Sequence, residues 1–360
     1  AKEWILQVSP RKKFLSCLAD ELICTCNKKS VEGGTFMKML KRFLAGILAV
    51  VLLISLPVSS FEVSAASKIP GFKAKVTEKN ILKILNKYDK DGAYVMKKQI
   101  NKGDNILWWF SNARIIDGMN TAVHEETHGY SHSYGTYSFS GTTTAYFVGN
   151  KKTVYVPHTT VYQSKEMANS IPKRLRTFRY NTYVAKPSAY LSSNVDGAYG
   201  LMNEFMAYRM GMSTTIALFP YYKAKKAGWD EWQVFINNCE NDRLAYAEFK
   251  YYILNYLYYA KKHHPDVYNG IVNNKEFCKA YRTLESSYVK LIKEYEKDLK
   301  KIKKEMKAAG YQMQISDEMI MVYSSQGAGT GTGRFTSDYN KLQKELRKDK
   351  YLSIHRKLVK

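Results

Sequence analysis

Apolar residues recur three and four positions apart from Thr77 to Tyr88, so that Ile81, Leu82, Ile84, Leu85 and Tyr88 fall on one side of a helix. Thr77 is placed to cap that helix, Lys68 to about Val76 reads as a linker before it, and Asp89-Lys90-Asp91-Gly92 reads as the turn that closes it. The turn starts like a calcium loop but lacks the later oxygen ligands and the closing glutamate. Asp104 to Ala113 carries the bulky run Leu107-Trp108-Trp109-Phe110, a core segment. Met119 to His128 has helical spacing and no proline, with Asp117 or Asn120 to cap it. The period then alternates: Ala145-Tyr146-Phe147-Val148 and Thr153-Val154-Tyr155-Val156 flank Gly149-Asn150-Lys151-Lys152, the pattern of a hairpin. A helix near Ser164 to Leu175 and a strand over Thr177 to Val184 follow.

Pro187 to Gly200 is turn-rich, and helical spacing resumes from Tyr199 to about Leu218. Beyond Pro220 the pattern predicts helices over Trp229 to Asn238, Asn241 to His263 and Asn274 to Ala308. The last carries lysine on most faces, which predicts an exposed helix rather than a core element. The aromatic run from Tyr251 to Tyr259 reads as packing, and His263-His264 beside Pro265 reads as a loop. The alternating glycines from Gly327 to Gly333 have neither the strand nor the helix start of a phosphate cradle. They read as a mobile loop, with a flap over a cleft as their functional alternative. Mixed strands and helices followed by a helical half predict an α+β fold of two lobes, divided into regions 67–220 and 221–360.

The N-terminus changes the picture. Met37 to Ala66 has the build of a secretory signal peptide: Lys38, Lys41 and Arg42, then apolar Phe43 to Leu56, a break at Pro57, and small residues at Ser64-Ala65-Ala66. The apolar run is short of the roughly 20 residues a membrane span needs. Signal peptides begin at an initiator methionine, so residues 1–36 are expected to be a mistranslated leader. Glu32-Gly33-Gly34 is encodable as a bacterial ribosome-binding sequence shortly before the Met37 codon. A cytosolic extension is the alternative. On the first reading the chain works outside a bacterial cell, secreted or at its surface. Of five cysteines only Cys239 and Cys278 lie beyond these segments, enough for one disulfide but not for a disulfide scaffold.

The formal charge is +24. Residues 1–66 hold nine of the 56 basic and five of the 32 acidic residues, leaving 47 against 27, a net +20. That charge favours anionic partners such as wall polymers or lipid head groups, while a solvated lysine-rich surface explains it equally. No nucleic-acid motif accompanies the charge, and export argues against a genomic target.

The chemistry concentrates at His124-Glu125-Glu126-Thr127-His128. On a helix, residues four apart lie one above the other, so His124 and His128 can direct ring nitrogens to one Zn²⁺. Glu125, one residue round, stands beside the ion as a general base; Glu126 is expected to face solvent. A catalytic zinc needs a third protein ligand and an open position. The arrangement with a third histidine six residues on is excluded, because that place holds Tyr134 and the intervening glycine is Gly129 rather than at 131. Two candidates remain. His132 would need the helix to break at Gly129, whereas Glu204, in Leu201-Met202-Asn203-Glu204-Phe205-Met206-Ala207-Tyr208, lies on a second predicted helix with a buried face.

The combination of His-Glu-x-x-His with a distant helical glutamate resembles the gluzincin zinc metallopeptidases, over residues 117–132 and 198–210. The resemblance implies His124, His128 and Glu204 as ligands, Glu125 as general base and acid, and a zincin-like domain with its active-site helix under a small sheet. Thermolysin-like members carry an aspartate four residues after the ligand glutamate; here that place is Tyr208, so Asp196 or Asn203 must orient a ligand histidine instead. Toxin-like members place a tyrosine shortly before the glutamate, a spacing Tyr199 does not match. Tyr208, Tyr199 and His158 are candidate donors to the oxyanion. The expected function is hydrolysis of a protein or peptide substrate outside the cell. Its rivals are a non-catalytic surface module held to anionic wall polymers and a zinc amidase acting on peptidoglycan.

Overall fold

Thr77 caps the first helix, α1 (Glu78–Tyr88), by accepting the Asn80 backbone N–H at 3.2 Å, and α1 buries Ile81, Ile84 and Leu85. The next four residues are not a turn. Asp89 ends α1 and at once caps α2 (Lys90–Ile100), accepting from the Gly92 backbone N–H at 3.0 Å. These elements belong to a computed structural model that describes residues 69–110, 114–138 and 141–360. The leader, the signal segment and the start of the linker lie outside the described residues.

A 3₁₀ turn, Ile106–Phe110, buries Ile106 and Phe110 but leaves Trp108 56% exposed, so the aromatic run is only partly core. The site helix α3 (Ile115–Tyr134) is longer than its apolar spacing indicated. Asp117 secures its start from inside the first turn, accepting the Arg114 backbone N–H at 3.0 Å and its guanidinium at 2.9 Å. Asn120 is no cap; it is buried, donating to Thr215 and Asp242.

The hairpin forms as expected. Strands β1 (Thr136–Ser138), β2 (Gly141–Gly149) and β3 (Lys152–Pro157) make an antiparallel sheet in that order. Asn150 and Lys151 take φ of 53° and 56°, the left-handed pair that matches strand twist in a two-residue turn. The Asp91 carboxylate accepts both of their backbone N–H groups, which ties the turn to α2. Short 3₁₀ turns occupy Ser164–Ser170 and Lys173–Leu175 in place of a regular helix. The expected strand over Thr177 to Val184 is instead irregular chain leading into a π turn, Asn181–Ala185.

After α4 (Ser192–Val195) comes α5 (Ala198–Ala217), apolar on nearly every side and buried along its length. It packs between α3 and α7 (Trp229–His263), reached through α6 (Phe219–Ala224). The break expected near Asn238 is absent: Cys239 and Glu240 are buried within one continuous helix. Tyr251, Tyr252 and Tyr256 are fully buried, the packing role expected of them.

Pro265 starts α8 (Pro265–Val272) directly beside His264. Helix α9 (Lys275–Ala308) is not merely exposed: Phe277, Tyr281, Leu284, Tyr288, Tyr295 and Ile302 form a buried seam along it. Strands β4 (Gln312–Ile315), β5 (Met319–Tyr323) and β6 (Gly329–Gly333) form a second antiparallel sheet against α7 and α9. The glycine run is thus paired strand, and Gln233 on α7 bonds the Gly331 carbonyl at 2.9 Å. Helices α10 (Thr336–Leu346) and α11 (Asp349–Val359) close the chain's described part.

The fold is α+β with a mainly helical C-terminal half. One hydrophobic core runs across residue 220, and Lys68–Lys360 cluster as one unit. Cys239 and Cys278 are both free thiols rather than a disulfide. Among the described residues no helix is long and apolar enough to cross a membrane.

Burial holds the Asp242 carboxyl at about 7, against donation from Asn120 and the field of Arg179. A carboxyl raised in this way keeps its proton when folded while the unfolded chain releases it. Stability is therefore full at acid pH and falls as pH climbs from about 4 to about 7, by about 1.4 kcal/mol per pH unit at most. Asp242→Asn should remove that loss, so its Tm relative to wild type rises steadily from pH 4.5 to 7.5. Melting curves across that range decide; a Tm difference independent of pH would contradict the buried, protonated carboxyl.

Candidate metal centre

Helices α3 and α5 lie side by side, and their facing residues bring His124, His128 and Glu204 together with one ligand atom of each within 4.8 Å of the others. The His124 and His128 Nε2 atoms are 3.2 Å apart, and His128 Nε2 lies 3.5 Å from Glu204 Oε2. Three ligands bound tetrahedrally at 2.0–2.1 Å would stand about 3.3–3.4 Å from one another. These two edges, 3.2 and 3.5 Å, bracket that value.

The polar inventory agrees. Glu204 Oε2 is buried without a well-formed hydrogen bond; the His128 imidazole at 3.5 Å is its charge partner when protonated, and a bound cation would take that place. Asn203 Oδ1 accepts from His128 Nδ1, and Asn203 Nδ2 donates to Ser131 Oγ at 2.8 Å. With Oδ1 facing the ring, Asn203 accepts the Nδ1–H of His128, so Nε2 is the nitrogen that would face an ion once its own proton has left. Asn203 therefore does the orienting job for which Asp196 was the other candidate; Asp196 instead accepts from Ser192 Oγ at 2.6 Å.

His124 is kept neutral. Burial pushes its pKa well below 6.5, with His128 and Arg179 adding to the effect. For His128 burial also acts downward, but Glu204 and Glu125 outweigh it and lift the imidazole to about 9 when no ion competes with the proton. A pair so polarised, with a carboxylate at its side, suits a divalent cation of borderline softness.

The ligands open onto a cavity of about 520 Å³. Glu125, His132, Tyr183 and Asp196 line it with them, and Tyr137, Leu191 and Val195 make an apolar flank. His132 shares the cavity but not the ligand group, because α3 continues unbroken through Gly129. Gly129 serves packing: a Cβ there would meet Gln99 Nε2 at 2.4 Å.

Glu126 departs from expectation. It is buried, accepting Trp109 Nε1–H at 2.7 Å, and burial pushes its carboxyl up to about 7. Tyr208, a candidate oxyanion donor, stands one layer back. Its ring meets His124 edge-on at 4.3 Å, and its hydroxyl is 3.4 Å from that of Tyr183, which does line the cavity. Tyr199 turns away; its hydroxyl accepts the Thr159 backbone N–H at 2.9 Å, and its ring stacks on His158 at 4.0 Å. His158 in turn bonds Thr144 Oγ1 at 2.7 Å. Tyr183 gave no sequence signal, since its apparent strand is a π turn, a feature that recurs at functional sites.

The chain matches no family model, no curated protein and no solved structure. The chemistry therefore rests on geometry. With zinc as the probe ion, His124→Ala should abolish tight binding and the accompanying rise in Tm. Asn203→Ala, which frees His128 to rotate, should weaken binding by about 10–100-fold. Competition against a chromogenic chelator measures both, and wild-type affinity in Asn203→Ala would remove that residue from the site.

Proposed function

We propose that the chain is an exported zinc-dependent peptidase of gluzincin type, with His124, His128 and Glu204 as ligands. The observation that carries this reading is the convergence of those three donors on a cavity that Glu125 also lines. A structural zinc site is closed by four protein ligands, whereas three ligands beside an open, carboxylate-lined cavity match a hydrolytic site. The signal-like segment before the site supports action on a protein or peptide outside the cell.

Zinc, when bound, supplies a Lewis acid that acidifies water and polarises the scissile carbonyl. Glu125 takes the proton of the attacking water and returns it to the leaving nitrogen. Asn203 holds the His128 ring in register, and the buried His124 imidazole remains a neutral donor. Tyr183 is the oxyanion donor. Burial beside Glu204 keeps its hydroxyl protonated, with its pKa well above 10, and the Tyr208 hydroxyl backs it at 3.4 Å. The apolar flank of Tyr137, Leu191 and Val195 offers a surface for a substrate side chain.

Glu125→Gln should keep its zinc yet lose about 10²–10⁴-fold in kcat on a peptide library, the range of a general base. Zinc-loaded variant that cleaves like wild type would overturn the mechanism. Tyr183→Phe should lower kcat by about 10²–10³-fold with little change in KM, as for loss of one oxyanion donor. Tyr208→Phe should cost much less, and the reverse order would return the role to Tyr208.

A further inference from the structure

The seam that α9 buries, from Phe277 through Tyr288 to Ile302, leaves the opposite side of a long helix facing solvent. Along that outer side Lys275, Lys279 and Arg282 recur at four- and three-residue steps, all exposed. After Ser286 the row resumes with Lys290, Lys293, Lys297, Lys300, Lys304 and Lys307, again exposed and again three or four apart. Steps of that size keep side chains on one face. Glutamates flank the row, Glu276 pairing with Lys279 at 3.4 Å and Glu294 with Lys297 at 2.9 Å, while the row itself, at 1.5 Å per residue, extends about 48 Å.

Both ends of the row run into cavities. One, of about 370 Å³, is lined by Lys275, Lys279, Arg282, Lys357 and Lys360 together with Val272, Asn273 and Cys278; within it Arg282 donates to the Lys360 main-chain oxygen at 2.5 Å, and Lys279 pairs with Glu276 at 3.4 Å. The other, of about 740 Å³, is lined by Lys303 and Lys307 beside the edge strand β4. Helix stability does not explain the arrangement. Cations favour the C-terminal end of a helix, yet Lys275 and Lys279 sit in its first turns, against the positive end of the dipole.

We propose that this face of α9 is a docking track for a linear phosphodiester polymer of the poly(alditol phosphate) kind, anchored in the five-cation cavity at the start of the helix. The spacing provides about one cation per turn for successive phosphates. No aromatic residue lies on the row, so it offers no platform for stacked bases. Nor does it carry the large apolar face with which helices enter a lipid interface. The choice of a wall-type polymer rests on the exported reading of residues 37–66; it is independent of the metal centre.

Binding of purified poly(glycerol phosphate) to the full chain tests the proposal, measured by calorimetry at several salt concentrations. Each phosphate contact should contribute about −0.7 to the slope of log K against log salt. Lys293→Ala, Lys300→Ala and Lys304→Ala together keep helix propensity and remove three contacts. The slope should become shallower by about 2 and affinity at 0.1 M salt should fall about a hundredfold. Replacing the exposed Lys79, Lys173 and Lys262 instead should change affinity by less than about fivefold, one contact's share. Equal losses in the two triple variants would overturn the track in favour of undirected surface charge. Tighter binding of single-stranded DNA or of anionic vesicles than of the polymer, lost with the same three lysines, would overturn the assigned partner.

Discussion

Burying a carboxylate against two imidazoles is the constraint around which the rest of this structure is arranged. Glu204 sits on the most buried helix of the fold, where an unpaired charge costs several kcal/mol. The two histidines that face it come from a different helix, so the register of α3 against α5 is set by this meeting as much as by apolar packing. Gly211 marks how tight that register is, because a Cβ there would meet Asn120 Nδ2 at 3.0 Å. Asn120 in turn bonds Thr215 on α5 and Asp242 on α7, a polar bracket one turn before the histidines. A divalent ion that displaced the His128 proton would satisfy the Glu204 oxygen and both ring nitrogens at once, cross-linking the two helices.

A second buried charge stands behind the first. Arg179 is 3% exposed and pairs with the fully buried Glu248 at 2.7 Å, while Asn241 accepts from it at 2.6 Å. Its guanidinium lies 4.4 Å from the centre of the Tyr208 ring, and that ring meets His124 edge-on. The order of layers is therefore cation, aromatic ring, neutral imidazole. The cation's field opposes protonation of His124, and the tyrosine fills the volume between them. Where a carboxylate in the place of Tyr208 would have attracted a proton toward the ligand histidine, this arrangement keeps it away. Asn203, a neutral acceptor, then orients the other histidine without adding charge.

The chemistry-bearing residues were the most legible part of the sequence, because metal ligation needs particular side chains at helical spacing and those survive as a pattern. His124, His128 and Glu204 meet as the pattern implied, and the Ala145–Val156 hairpin was readable from strand alternation around its turn. What failed was context. Thr177 to Val184 has the β-branched and aromatic residues of a strand, but Thr177 and Arg179 are held by Glu248 instead of by a neighbouring strand, and the chain coils into a π turn. Propensity carries no record of such a partner. Glu126 looked solvated for the same reason: nothing local shows that Trp109 bends back to receive it. In α9 the density of lysine masked a regular apolar seam, since the cationic row outside it repeats at the same three-and-four spacing.

That masking has a physical counterpart in how the helix works. The buried seam and the cationic row of α9 are both three-and-four repeats, set on opposite sides of the same 34 residues. Apolar packing against α5 and α7 fixes the helix in place, and a fixed helix is what would let separate lysines act as a line instead of as scattered charges. Each lysine alone is worth little in water, because an exposed cation is screened within about a Debye length. A rigid row spaced more closely than that length sums its field along the helix, and only a partner of matching linear charge gains from the sum. The metal centre shows the opposite use of charge, few groups in low dielectric where each contact counts heavily. The same core supports both, burying charge beside α5 and aligning it outside α9.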